Sequence, residues 1–231
     1  MRKFLLASGL VASAFSVNAS AGEPGLYVGF GAGQSNFSGD IASQISHAYG
    51  PTSGFILRNV DQTDDSDNAY KVSIGYRFLP WLSVEMAWAD LGEVGTHYET
   101  LPANAGTTLP ILIDGHYQLK ALSAAFVGEL PFNEVLTGSL RLGFTGTRLK
   151  YNETGSVTAS IPHDFSAKTD SATRPIAGIG LAWSITPTLD LRADWDRYFR
   201  VGERFAFDAD TNGRFDHVDM YSLNLLYHFA Q

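Results

Sequence analysis

The chain contains no cysteine. A disulfide-held fold, a thiolate metal site and an N-terminal lipid-modified cysteine are therefore excluded, and an exported protein needs none of them. No long apolar run follows the N-terminus. A helix that crosses a bilayer takes about 20 predominantly apolar residues, so a helical membrane protein is excluded, whereas an all-β one is not. Positive charge is scarce: 16 Lys and Arg stand against 24 Asp and Glu, a formal net charge of −8. That balance argues against nucleic acid as a partner.

The N-terminus has the layout of an export signal. Arg2 and Lys3 give a positive start, Phe4 to Val17 is apolar and rich in small residues, and Ala19-Ser20-Ala21 is a small-x-small cleavage site. Residues 1–21 are expected to be removed, leaving 22–231 as one barrel domain with two fewer positive charges. The apolar run is too short to be a membrane-anchoring helix.

Beyond it the chain alternates. In Tyr70-Lys71-Val72-Ser73-Ile74-Gly75-Tyr76-Arg77-Phe78 one face is Tyr, Val, Ile, Tyr and Phe, and the other is Lys, Ser, Gly and Arg. Apolar residues facing lipid and polar residues facing a lumen give this period in a transmembrane β-barrel. A soluble lipocalin-like barrel would carry the pattern inside out. An uninterrupted apolar row opposite one that mixes glycine with both charge signs favours lipid.

Eight strands are expected, at about Gly25 to Phe37, Ala69 to Phe78, Leu82 to Val94, His116 to Leu130, Leu136 to Tyr151, Arg174 to Ile185, Leu189 to Phe199 and Val218 to Phe229. Tight turns at Leu79-Pro80-Trp81, Pro131-Phe132-Asn133 and Thr186-Pro187-Thr188 alternate with long polar loops at about 38–68, 95–115, 152–173 and 200–217. Short turns on one side and long loops on the other are the asymmetry of outer-membrane barrels. The fold class is therefore all-β: an eight-stranded antiparallel up-and-down transmembrane barrel. Trp88 and Trp195 fall near the loop end, with Tyr76, Phe78, Trp81, Phe132, Trp183, Tyr227 and Phe229 near the turn end, as two interfacial girdles. Lys120 shares the parity of outward Leu122 and Leu130. Either a bulge near Lys120 shifts the register or its side chain snorkels; the bulge is the favoured reading.

The inward row collects charge. Lys71, Arg77, Arg141, Arg174 and Arg192 balance Glu85, Glu129, Asp190, Asp194 and Asp196. The interior of a barrel of this size is just wide enough for side chains to fill, and buried charges must pair, so a salt-bridged plug is expected, with Arg141 and Arg192 central. A gated narrow ion path is the alternative. In the fourth loop Asp208, Asp210, Asn212, Asp216 and Asp219 fit the start and spacing of a calcium loop, with Gly213 at its sharp turn. Asp219 stands where a bidentate Glu is usual, no helices flank the loop, and solvated acidic charge is the plainer reading. The cluster Asp61, Asp64, Asp65 and Asp67 reads as solvated charge too. No catalytic residue is expected: His47, His97, His116, His163 and His217 lie in or near loops with no Ser and orienting acid beside them, and His228 is near the turn end.

Several segments resemble the OmpA-like outer-membrane barrel family: Leu26-Tyr27-Val28-Gly29-Phe30-Gly31-Ala32-Gly33, Gly75-Tyr76-Arg77-Phe78 and Gly178-Ile179-Gly180-Leu181-Ala182-Trp183-Ser184-Ile185-Thr186-Pro187. The closing strand, with Tyr221, Leu223, Leu225, Tyr227 and Phe229, resembles the signal read by the outer-membrane insertion machinery, although two residues follow Phe229. The resemblance implies an outer-membrane location, lipid and lipopolysaccharide as surroundings, and adhesion or envelope integrity as a tendency. The chain stops at Gln231, so the peptidoglycan-binding domain of longer members is not expected. The function expected is a monomeric structural and surface-interaction barrel whose loops meet host or cell-surface ligands. A small low-conductance porin is the alternative, and a lipid A-modifying enzyme the third reading. No cofactor other than Ca2+ is implied.

Overall fold

Val, Ile, Leu and aromatic residues at every second position suit a pleated strand with one face in an apolar medium. In the computed structural model, which describes residues 24–39, 55–62, 65–102, 111–157, 161–201 and 215–229, they form β1 (Gly25–Ser38), β2 (Phe55–Gln62), β3 (Ser66–Leu79), β4 (Leu82–Pro102), β5 (Ile111–Pro131), β6 (Leu136–Val157), β7 (Ile161–Thr186), β8 (Leu189–Val201) and β9 (Phe215–His228). All pairings are antiparallel, and β4 pairs with β5 to close the sheet into an eight-stranded barrel. The short β2 falls within the loop expected at about 38–68, which is therefore strand in part, but it is no ninth stave. It lies along the same edge of β4 as β3, pairing with Thr96–Pro102, while β3 pairs with Leu82–Asp90.

The apolar face points outward. Phe30, Phe126, Leu130 and Phe144 are each 60–67% exposed, which in water would be an intolerable patch and in lipid is the solvated state. The inside-out soluble barrel is thereby excluded.

Two expectations need correcting. Residues 95–115 and 152–173 are not loops over most of their length, because β4, β5, β6 and β7 run on as strands of 21, 21, 22 and 26 residues. A tilted strand crosses the membrane in about 9–11 residues, so these hairpins stand well clear of it at the loop end. The bulge near Lys120 lies on the neighbouring strand. β5 pairs with β6 without interruption from Ile111 to Pro131, whereas β4 shifts register between Asp90 and Glu93. Gly92 has φ +84° there, a conformation that side chains disfavour. Its N–H donates to Asp90 Oδ1 at 3.2 Å, and the Glu93 N–H donates to Asp67 Oδ2 at 2.8 Å. Lys120 keeps its outward parity, pairs with Asp90 at 3.3 Å and lies 5.9 Å from the Trp88 ring centre. Snorkelling was the correct branch.

The turns are built as expected. Asn133 Oδ1 accepts from the N–H groups of Val135 (3.0 Å) and Leu136 (2.8 Å), closing the β5–β6 turn.

Candidate functional site

The period-2 pattern brings charged side chains from four strands to one level of the lumen. Lys71 on β3, Glu85 on β4, Arg141 on β6, and Arg192, Asp194 and Asp196 on β8 are all buried. Lys71 Nζ lies 2.8 Å from Asp194 and 2.7 Å from Asp196. Arg141 contacts Glu85 at 2.9 Å and Asp194 at 3.3 Å, and also bonds Asp196. Arg192 reaches Glu85 at 3.0 Å and Asp194 at 3.0 Å. Three cations meet three carboxylates, so the layer is neutral and each charge has more than one partner. This is the condition under which buried ions are tolerated.

Polar neighbours complete the layer. The Tyr27 hydroxyl donates to Glu85 Oε2 at 3.0 Å, and Asn224 Nδ2 donates to Asp194 Oδ2 at 3.0 Å. Neither was anticipated by the sequence reading. Both were visible as inward parity, Tyr27 in the row of Gly29 and Asn224 in the row of Ser222.

Other members of the expected set sit elsewhere. Toward the turn end, Arg77 pairs with Glu129 at 2.6 Å, and Asp190 accepts from His228 at 2.9 Å. Arg174 is half-buried on the inward side of β7, nearer the loop end. Arg141 and Arg192 are central, as anticipated.

Above the charged layer the lumen turns apolar, which the sequence reading missed. Phe37, Leu91, Val94, Tyr98, Tyr117, Leu119, Leu149, Tyr151, Tyr198 and Phe215 form one buried cluster there. Tyr117 and Tyr151 stack with ring centres 4.5 Å apart, and Phe215 meets Tyr117 edge-on at 6.3 Å. Leu91 and Val94 can both face inward because the Gly92 bulge flips the parity of β4.

The rim carries two outward ion pairs, each beside a tryptophan. One is Asp90–Lys120 at Trp88. In the other, Arg197 donates to both Asp219 oxygens at 2.7 Å and lies 5.1 Å from the Trp195 ring centre. Of the proposed calcium ligands, Asp219 is thus an outward residue of β9 and Asp216 is exposed. Asp208, Asp210 and Asn212 lie outside the described residues. Tyr221, Leu223, Leu225, Tyr227 and Phe229 form an exposed outward row on and just beyond β9.

No curated protein matches the chain. Among solved structures, OprG of Pseudomonas aeruginosa has 10% sequence identity and a TM-score of 0.50, over 93% of this chain and 100% of that one. The attachment invasion locus protein Ail of Yersinia pestis has 15% identity and a TM-score of 0.46, over 90% and 100% of the two chains. The N-terminal barrel of Pseudomonas aeruginosa OprF has 12% identity and a TM-score of 0.44, over 90% and 100%. The profile of the OmpA-like transmembrane domain matches residues 22–231. The chain belongs to the OmpA-like transmembrane domain family and is a barrel of the cell outer membrane.

Proposed function

We propose that this is a non-conducting, non-enzymatic surface barrel, whose lumen serves stability and whose loop-end strand extensions form the interaction surface. One observation supports this reading: two buried layers follow one another along the lumen, first the neutral six-charge layer and then the aromatic and aliphatic cluster. An ion would have to displace paired charges and then cross a packed apolar layer, and both steps are costly. The hairpins β4–β5 and β6–β7 supply a surface outside the membrane on which host or cell-surface ligands are engaged. Residues 1–21 serve as the cleaved export signal, and the row from Tyr221 to Phe229 serves as the insertion signal.

The test is single-channel recording of the refolded mature barrel in a planar bilayer, with folding verified by heat-modifiable gel mobility. A silent bilayer is expected, with and without calcium. Reproducible small steps would replace this reading with the low-conductance pore. A calcium-dependent change would direct attention to the segment from Asp208 to Asp219.

A further inference from the structure

Two histidines stand on the outer face of the β4–β5 hairpin, beyond the Trp88 rim. The sequence puts His97 in a loop and His116 at the start of a strand; in the structure His97 lies within β4 and His116 within β5. Their register makes them diagonal neighbours: His97 is opposite Asp114, and Gly95 is opposite His116. Such diagonal positions are about 7–8 Å apart on a sheet, and Gly95, between them on the same row, puts no side chain in the way.

Each imidazole is held in the same manner. His97 Nδ1 is 2.6 Å from Asp114 Oδ1, and His116 Nδ1 is 2.8 Å from Glu93 Oε1. On its other side His97 is opposite Asp61 of β2. The side chains are 44% and 53% exposed, so both rings are reachable from water. A carboxylate on one ring nitrogen fixes the tautomer and raises the basicity of the other, which is the usual support for a metal-bound histidine. Exposed ion pairs contribute little to stability, so hairpin stability alone gives no reason to hold two rings in this way.

We propose that His97 and His116 bind a divalent transition-metal ion through their Nε2 atoms, outside the membrane. Imidazole ligands suit zinc and copper, whereas magnesium and calcium prefer oxygen. No three His, Asp or Glu side chains converge on one point among the described residues. The site therefore supplies two nitrogens and leaves the remaining positions to water or to a ligand group on a partner. Glu93 and Asp114 act as positioning residues and lend negative charge. The site is independent of whether the lumen conducts.

The experiment is titration of the refolded mature barrel with Zn2+ at neutral pH, followed by calorimetry. One strong site is expected, weakened at least tenfold by His97→Gln or His116→Gln and abolished by both together. Glu93→Gln and Asp114→Asn should weaken it about 10–100-fold, and excess Mg2+ should not compete. Unchanged Zn2+ binding in the double variant, or no saturable binding to the parent, would overturn the proposal. A second measurement needs no variant: Cu2+ should broaden amide resonances around His97 and His116 first, ahead of those near His217 and His228. Broadening centred on either of the latter would also overturn it.

Discussion

Arg192 on β8 and Glu85 on β4 meet across the lumen at 3.0 Å, from strands that are not neighbours in the sheet. The contact ties opposite walls of the barrel together in a way that backbone ladders cannot. Removing one partner leaves a buried charge without compensation, at a cost of about 3–5 kcal/mol. Arg192→Leu should lower the urea midpoint of the barrel refolded in detergent micelles accordingly. Arg200→Leu, at an exposed position at the end of β8, should stay within about 0.5 kcal/mol. Both residues at position 200 meet the same backbone conformation, so that comparison is not biased by its φ of 51°. Equal midpoints for the two variants would contradict the network.

Tyr27 reaches Glu85 only because β3 has no side chain at Gly75, where a Cβ would overlap the Tyr27 ring. Gly75→Val should therefore expel the ring and cost more than Tyr27→Phe. The latter removes one hydrogen bond to a carboxylate, worth about 1.5–3 kcal/mol. Unfolding titrations of the two variants side by side provide the check. A smaller loss for Gly75→Val than for Tyr27→Phe would refute the packing argument.

Much of this was legible because the barrel writes its geometry at period two. The inward charges, the outward apolar row and the three tight turns all follow from parity and from Pro or Asn at the turns. Three features were not. The apolar upper layer was hidden because apolar residues were assigned to lipid by rule, yet beyond the membrane the outside is wet and the inside must supply the core. Thus Leu119 and Leu149 point inward above the same lumen that holds Arg141. The strand extensions were hidden because Thr96-His97-Tyr98-Glu99-Thr100 alternates between two faces that are both partly polar. The partner of Asp190 was missed because His228 had been considered for catalysis rather than for the lumen.

Gly92 is the residue on which the upper core depends. Its positive φ lets β4 change parity between Leu91 and Val94, and an added Cβ would stand 2.6 Å from Asp67 Oδ2 and 2.9 Å from the Asn68 carbonyl oxygen. Gly92→Ala should cost at least the roughly 1–2 kcal/mol of a left-handed alanine. Amide exchange should accelerate in the loop-end half of β4 while the Leu82–Asp90 ladder stays protected. Uniform exchange along the whole of β4 would show that the bulge does not divide the strand.

The two layers of the lumen also make separable predictions. Phe215 and Tyr117 belong to the upper layer alone, and their truncation leaves the six-charge layer intact below. Phe215→Ala should cost about 3–5 kcal/mol, as large aromatic truncations in cores do, because the rings of Phe37 and Tyr117 lose a neighbour. It should nonetheless leave a planar bilayer silent, since an ion entering from the loop end still meets Lys71, Arg141 and Arg192 locked onto their carboxylates. Combining Phe215→Ala with Arg141→Ala removes one element from each layer and leaves Asp196 bonded to Lys71 alone among those cations. If any single pair of substitutions produces current, it should be one that spans both layers. Current from Phe215→Ala alone would mean that the charged layer does not close the lumen, and that the apolar cluster is the seal.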